Sequence, residues 1–179
     1  MIVMSALLAA ATLSAAAQEP QPLRLVDEVD LSRYAGTWYE VARFPNEFQR
    51  DCVGDVTATY TVRPDGDITV VNKCRKADGT WNEAEGVAKL AGNAKNNAAL
   101  RVRFAPAILS FLPNVWGDYR IVGLDPEYRW AVVGEPKREY LWILSRTPNM
   151  ATDAYTRAIA IAKANQFDVA KLQKTSHSR

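Results

Sequence analysis

Few side chains in this sequence suit covalent or acid–base chemistry. It has two cysteines, Cys52 and Cys74, and one histidine, His177, within its last three residues. A catalytic triad or a histidine-rich metal centre needs its histidine in an ordered part of the fold. Glu40 is the one carboxylate that strand alternation sends inward among apolar neighbours, and no second acid or base accompanies it. An unpaired carboxylate in such a place is costly, so Glu40 is expected to have a partner, with Arg146 and a tyrosine hydroxyl the candidates. No catalytic residue, cofactor or metal is therefore expected. Cys52 precedes one strand of a hairpin and Cys74 ends the other, which brings the thiols together. A disulfide there closes a loop of about twenty residues, worth ~3 kcal/mol on the chain-entropy model. The rival reading, a redox or metal pair, lacks further ligands and the close spacing such sites prefer.

The chain has 179 residues, 48% of them hydrophobic, and a net charge of +2. That suits one domain with a single core. No basic run interleaves with aromatics, so a nucleic-acid partner is not expected. Residues 1–17, "MIVMSALLAAATLSAAA", read as a secretory signal with a small-residue cleavage site, although no Lys or Arg precedes the apolar run. The folded domain is then 18–179, exported to the periplasm or secreted. An oxidising compartment favours the disulfide. No cysteine lies near the cleavage site, so a lipid anchor is not expected.

The elements that position these residues alternate strand and turn. "LSRY" reads as a helical turn, followed by strands at 36–43, 53–63, 68–74, 81–90, 99–104, 116–124, 128–134 and 139–146. Pro64-Asp65-Gly66 is strong hairpin chemistry. Eight hairpin-linked strands predict an all-β fold: an antiparallel up-and-down β-barrel, in which closure removes the exposed edges. A two-sheet sandwich is the alternative. Over "ATDAYTRAIAIAKANQ" the period changes. Tyr155, Ala158, Ile159 and Ala162 recur at helical spacing behind a cap at Thr152 or Asp153, predicting a C-terminal α-helix packed on the barrel wall. "FDVAKLQK" allows a short final strand.

Three stretches resemble the signatures of the lipocalins, in order. They are Gly36-Thr37-Trp38 after the helical turn, "LDPEY" (Leu124 to Tyr128), and "ILSRTP" (Ile143 to Pro148). "GTWYEVARFPN" and "YLWILSRTPN" together are most similar to bacterial lipocalins, the outer-membrane, apolipoprotein D-like members. Two features depart from that pattern: no lipid-bearing cysteine is found, and Pro126 stands between Asp125 and Tyr128. The resemblance implies a barrel floor built by Gly36, Trp38, Asp125, Tyr128 and Arg146, with the arginine over the indole in a cation–π contact worth ~0.5–2 kcal/mol. Its other donors would satisfy carbonyls of the lead-in turn, and Gly36 would let that turn pass close beneath. These residues are expected to build the barrel rather than to touch ligand.

Alternation then assigns the inner wall. With Trp38 inward, Ala42 is inward too, followed by Val56, Ala58 and Tyr60; Val70 and Asn72; Leu100, Val102 and Phe104; Tyr119 and Ile121; and Tyr140 and Trp142. This set is apolar with a few polar tips, and its small residues are expected to leave room for a lipophilic ligand with a small polar group. By the resemblance that ligand is a fatty acid or lysophospholipid, stored or carried in upkeep of the bacterial envelope. Two other classes stay open: an enzyme acting on a lipophilic substrate on the same barrel, and a protein-interaction module with a filled barrel. The loop 105–116 carries Ile108, Leu109, Phe111 and Leu112. It reads either as an entrance rim that touches membrane or as buried packing.

Overall fold

The computed structural model describes residues 21–92, 96–109, 112 and 115–178. The signal-like run 1–17 and Phe111 lie outside them. The lead-in ends in helix α1 (Leu31–Tyr34), where the Asp30 carboxylate accepts from Ser32 N and Arg33 N at 2.8 and 3.2 Å. Eight strands follow: β1 (Gly36–Arg43), β2 (Cys52–Val62), β3 (Ile68–Lys76), β4 (Trp81–Leu90), β5 (Ala99–Arg103), β6 (Gly117–Leu124), β7 (Trp130–Gly134) and β8 (Leu141–Ser145). Each pairs antiparallel with the next, and β1 pairs with both β2 and β8. That double pairing closes the ring and excludes the sandwich. The β2–β3 turn forms as its sequence directs: Gly66 has φ +85°, and Asp65 accepts the Asp67 N–H at 3.1 Å.

Two strands start two residues later than expected because carboxylates tie up the preceding turns. Asp125 accepts from Glu127 N and Arg129 N, and Tyr128 sits at φ +57°. Glu135 accepts from Lys137 N, Glu139 N and Tyr140 N. β7 therefore begins at Trp130 and β8 at Leu141.

Helix α2 (Thr152–Ala164) docks on the wall through Ala154, Ala158 and Ala162, all buried. Small residues at i, i+4 and i+8 let it come close to the outer face of β6 and β7, where it shares a buried cluster with Val122, Trp130 and Val132. Its N-cap is Ala151 with no side-chain bond, not Thr152 or Asp153; Asp153 instead pairs with Arg157 within the first turn. Every residue of β7 is buried, because barrel interior covers one face and helix the other.

Two departures from regular alternation shape the open end. Between Glu40 and Ala42 the β1–β8 register slips, with Glu40 opposite Leu144 and Ala42 opposite Ile143. Val41 is the extra residue of a bulge, which reverses the faces beyond it. Ala42, expected inside, instead packs in the outer cluster beneath α2. Arg43, opposite Trp142, takes the inward side.

The second departure is in β2. Its pairing with β1 runs from Gly36 opposite Tyr60 to Tyr39 opposite Thr57, and Asp55 adopts φ +52°. The C-terminal tail occupies the gap. β9 (Gln173–Lys174) pairs with Ala42 and Arg43, Thr175 N donates to Val41 O at 2.9 Å, and Asp55 N donates to Ser176 O at 2.8 Å. His177 is thus ordered, against expectation, with its side chain 5% exposed and Nε2 2.7 Å from Glu40 O. The Cys52–Cys74 disulfide, with Cα atoms 5.6 Å apart, ties β2 to β3 where their ladder is irregular.

Gly134 lies under the Phe167 ring, and a Cβ there would fall 2.3 Å from Cζ. Gly134→Ala is expected to destabilise the fold by about 1–3 kcal/mol through overpacking, measured by urea denaturation.

Candidate ligand site in the barrel

The closed end is built around Trp38, which is fully buried. Its Nε1 donates to Tyr34 O at 2.8 Å, and the Arg146 guanidinium carbon lies 3.8 Å from the indole centroid. Arg146 then donates Nε to Tyr128 O, Nη1 to Thr37 O, and Nη2 to the carbonyls of Arg33, Tyr34 and Ala35, at 2.6–3.3 Å. Gly36 has φ +92°, which favours glycine, and a Cβ there would stand 3.4 Å from Arg146 Nη1. Tyr128 accepts the Asp30 N–H at its hydroxyl, 2.8 Å, and carries Arg33 over its ring. Asp125 holds the turn beneath by accepting from Arg129 Nε and Nη2. The structure thus brings Gly36, Trp38, Asp125, Tyr128 and Arg146 to one end.

Above the indole the barrel is solid. Tyr34 reaches in from α1, its hydroxyl 2.7 Å from that of Tyr119, which lies 3.0 Å from that of Tyr60. Burial raises all three phenols, Tyr60 to about 12. A pocket of about 10 Å³ lies beside them, bounded by Leu31, Ile68, Ala88, Leu100 and Val102; that is at the lower limit for one water. Tyr60, Val70, Leu100, Val102, Tyr119 and Ile121, expected to line a cavity, are packed core here. Counting strands alone missed Tyr34 and Leu31, which α1 adds to the interior. The "LSRY" segment carried that signal: a helical turn laid across a barrel end must turn its apolar residues inward.

The other end is open. Asn72 and Ala84, one on β3 and its β4 partner, face inward yet are exposed. Ala58, opposite Asn72, is half-buried, and Val56 is 7% exposed. Phe104 is 43% exposed, and its ring lies over Gly86, where a Cβ would come within 2.7 Å of it. Trp142 is half-buried. Tyr140 precedes β8 and stands at the rim rather than on the wall, stacked on Trp142 at 5.9 Å with Phe48 5.4 Å away and 71% exposed. Ile108, Leu109 and Leu112 at this end are exposed, which removes the buried-packing alternative for these three.

A polar cluster crosses the mouth. Gln49 accepts from Trp142 Nε1 and Asn46 Nδ2 at 3.0 and 2.9 Å, and donates Nε2 to Glu40 Oε2 at 2.6 Å. Thr175 Oγ1 donates to Glu40 Oε1 at 2.5 Å, and Arg43 Nε lies 3.4 Å from the same oxygen. These, not Arg146 or a tyrosine, are the partners of Glu40. Burial nevertheless pushes its carboxyl above the usual range. An open pocket of about 590 Å³ lies beside the cluster, lined by Arg43, Asn46, Gln49, Arg50, Glu139 and Tyr140 among others. Among the described residues, no group of three or more His, Cys, Asp or Glu is placed to hold a metal ion, and no helix is long and apolar enough to cross a membrane.

Comparisons with known proteins agree with this architecture. Residues 29–177 match the model of the lipocalin-like domain. The chain is 43% identical over 166 residues to the outer membrane lipoprotein Blc of Escherichia coli, covering 90% of this chain and 89% of that one. It is 39% identical to temperature-induced lipocalin-1 of Arabidopsis thaliana, covering 89% and 86%. Among solved structures, insecticyanin from Manduca sexta superposes with a TM-score of 0.70 at 20% identity, over 89% of this chain and 86% of that one, a likeness of fold.

Two measurements check the site's architecture. Arg146→Ala removes the cation–π contact and leaves the turn carbonyls without donors; a loss of about 2–4 kcal/mol is expected in equilibrium unfolding. Asp55 is held down to about 2, first by the Arg75 Nε hydrogen bond at 2.6 Å and then by Ser178 N. A carboxyl depressed by folding contributes stability above its unfolded pKa and loses it as pH falls through the folded one. Wild-type Tm should therefore drop between about pH 4 and pH 2, and thermal melts of Asp55→Asn should be flatter across that window.

Proposed function

The chain belongs to the lipocalin family, whose members generally bind small hydrophobic ligands, and on that premise we propose that it takes the acyl chain of a fatty acid or lysophospholipid into the open end of its barrel. The observation that carries this reading is the asymmetry of the barrel. One end is sealed by Trp38 and Arg146, while the other keeps Asn72, Ala84 and Phe104 exposed inside an aromatic rim. The tyrosine layer sets the depth. If about eight methylenes are buried at ~0.8 kcal/mol each, they supply roughly 6 kcal/mol, which by itself corresponds to a Kd of tens of micromolar. Tighter binding needs the head group to contribute.

Exposed Ile108, Leu109 and Leu112 at the same end suit an approach to a lipid surface, from which such a ligand would be drawn. Three features support export to the cell envelope: the Cys52–Cys74 disulfide, the apolar run 1–17, and a relative named as an outer membrane lipoprotein. A second reading, a protein-interaction module with a filled barrel, draws support from the solid deep half.

Titration with graded fatty acids, followed by tryptophan fluorescence, separates the two readings. Saturable quenching is expected in the wild type. In Ala84→Phe, which fills the open wall, affinity should fall at least about 10-fold with the melting curve little changed. Absence of quenching by every fatty acid would leave the interaction module standing.

A further inference from the structure

The two ends of the barrel each hold an arginine, and the two are bonded very differently. Arg146 spends Nε, Nη1 and Nη2 on five backbone carbonyls. Arg43 has a side chain only 13% exposed. Yet among the described residues its guanidinium makes one long hydrogen bond, Nη2 to Gln49 O at 3.4 Å, and its buried Nε has no hydrogen-bond acceptor. Glu40 Oε1 is 3.4 Å from that Nε, but its carboxylate is already engaged by Thr175 and Gln49.

A guanidinium presents five donors in a fixed fork; here Nε is buried beside Glu40 without a hydrogen-bond acceptor, while the outer nitrogens border the open pocket and can donate to a group that enters it. Arg43 also lines the open pocket beside the rim, with Asn46, Arg50 and Tyr140 around it. Arg50 is exposed and shared between Glu47 and Asp51 at 3.6 and 3.8 Å; Glu47 and Glu139 border the same pocket. The surroundings thus admit one small anionic group at Arg43 and disfavour a spread of negative charge. A planar or tetrahedral oxyanion is the chemistry that matches the fork.

We propose that Arg43 is the head-group anchor of this site, receiving the carboxylate or phosphate of an amphiphile whose chain lies in the open half of the barrel. This assignment rests on the carrier reading above and goes further, naming which end of the ligand is recognised and by which residue. The bulge at Val41 is what delivers it, since an unbroken β1 would have sent Arg43 to the outer face.

The test compares ligands of one chain length: myristate, monomyristyl phosphate and myristyl alcohol, titrated by tryptophan fluorescence at a pH where myristate is ionised. In the wild type both anions should bind about 10- to 100-fold tighter than the alcohol, the range of a charge-assisted hydrogen bond. Arg43→Gln should erase that gap while leaving the affinity for the alcohol within about 2-fold, and Arg43→Lys should keep part of it. Inorganic phosphate, the other source of the same chemistry, should not displace myristate at concentrations where the lipids bind. Displacement of myristate but not of the alcohol by low concentrations of phosphate would make the site a free-anion site and overturn the head-group assignment. Equal binding of anion and alcohol by the wild type, or a gap that persists in Arg43→Gln, would overturn the anchor while leaving the carrier reading intact. Failure of the alcohol and the anions alike would sink both. Should Arg43→Gln fold poorly, the wild-type comparison and Arg43→Lys still decide.

Discussion

The contact between the Arg146 guanidinium and the Trp38 indole is the constraint on which the rest of the barrel depends. A closed sheet of eight strands leaves two open ends, and a binding cup needs one of them stopped. The indole supplies the bulk. The guanidinium lies 3.8 Å above its face and collects the carbonyls of Arg33, Tyr34, Ala35, Thr37 and Tyr128. Those carbonyls belong to the end of α1, to the start of β1 that follows it directly, and to the β6–β7 turn, which is far from both in sequence. A single side chain from the end of β8 therefore joins the first strand to the last beside the β1–β8 seam. The cation–π term alone is ~0.5–2 kcal/mol. Its leverage comes from satisfying backbone groups of three segments at once, groups that would otherwise be costly to leave unpaired.

Sealing that end has a consequence further up. Because α1 must lie across the opening for its carbonyls to reach Arg146, Tyr34 is carried into the barrel, where its hydroxyl meets Tyr119 and through it Tyr60. Three phenols sharing two hydrogen bonds satisfy one another away from water, which is what makes a polar layer tolerable in an apolar interior. The same layer makes the cup shallow. Depth in this barrel is set less by the strands than by what the lead-in segment inserts from below.

Much of the architecture could be read from alternation and turn chemistry. The eight strands, the helix after them and the disulfide rest on local rules such as period two along Ile68–Lys76 and "PDG" at the β2–β3 turn, whereas the five floor residues came only from the resemblance to the lipocalin signatures. What escaped was what alternation cannot encode. The bulge at Val41 exchanges Ala42 for Arg43 on the inner face, and no residue in "YEVAR" announces it, since the slip belongs to the pairing with β8 rather than to β1 alone. His177 and Thr175 find Glu40 only because β2 turns away from β1 at Asp55 and leaves an edge for the tail to occupy. Tyr34 was legible as a helical residue, and its place inside the barrel follows only once α1 is laid across the closed end. Each of these three involves a contact between segments distant in sequence.

The two irregularities act together at the mouth. The bulge aims a cation inward, and the tail fills the gap that β2 leaves, bringing Thr175 onto the carboxylate that would otherwise be that cation's natural partner. Glu40 divides its two oxygens among Thr175, Gln49 and Arg43, which weakens its hold on Arg43. A regular barrel with a free C-terminus would have paired Glu40 outright or turned Arg43 to solvent. In this fold the defects in strand pairing, not the regular wall, leave a buried positive charge available beside an open pocket. That is where a polar head group can be recognised, because the guanidinium is already held in place, with part of its fork turned to the pocket, before the ligand arrives.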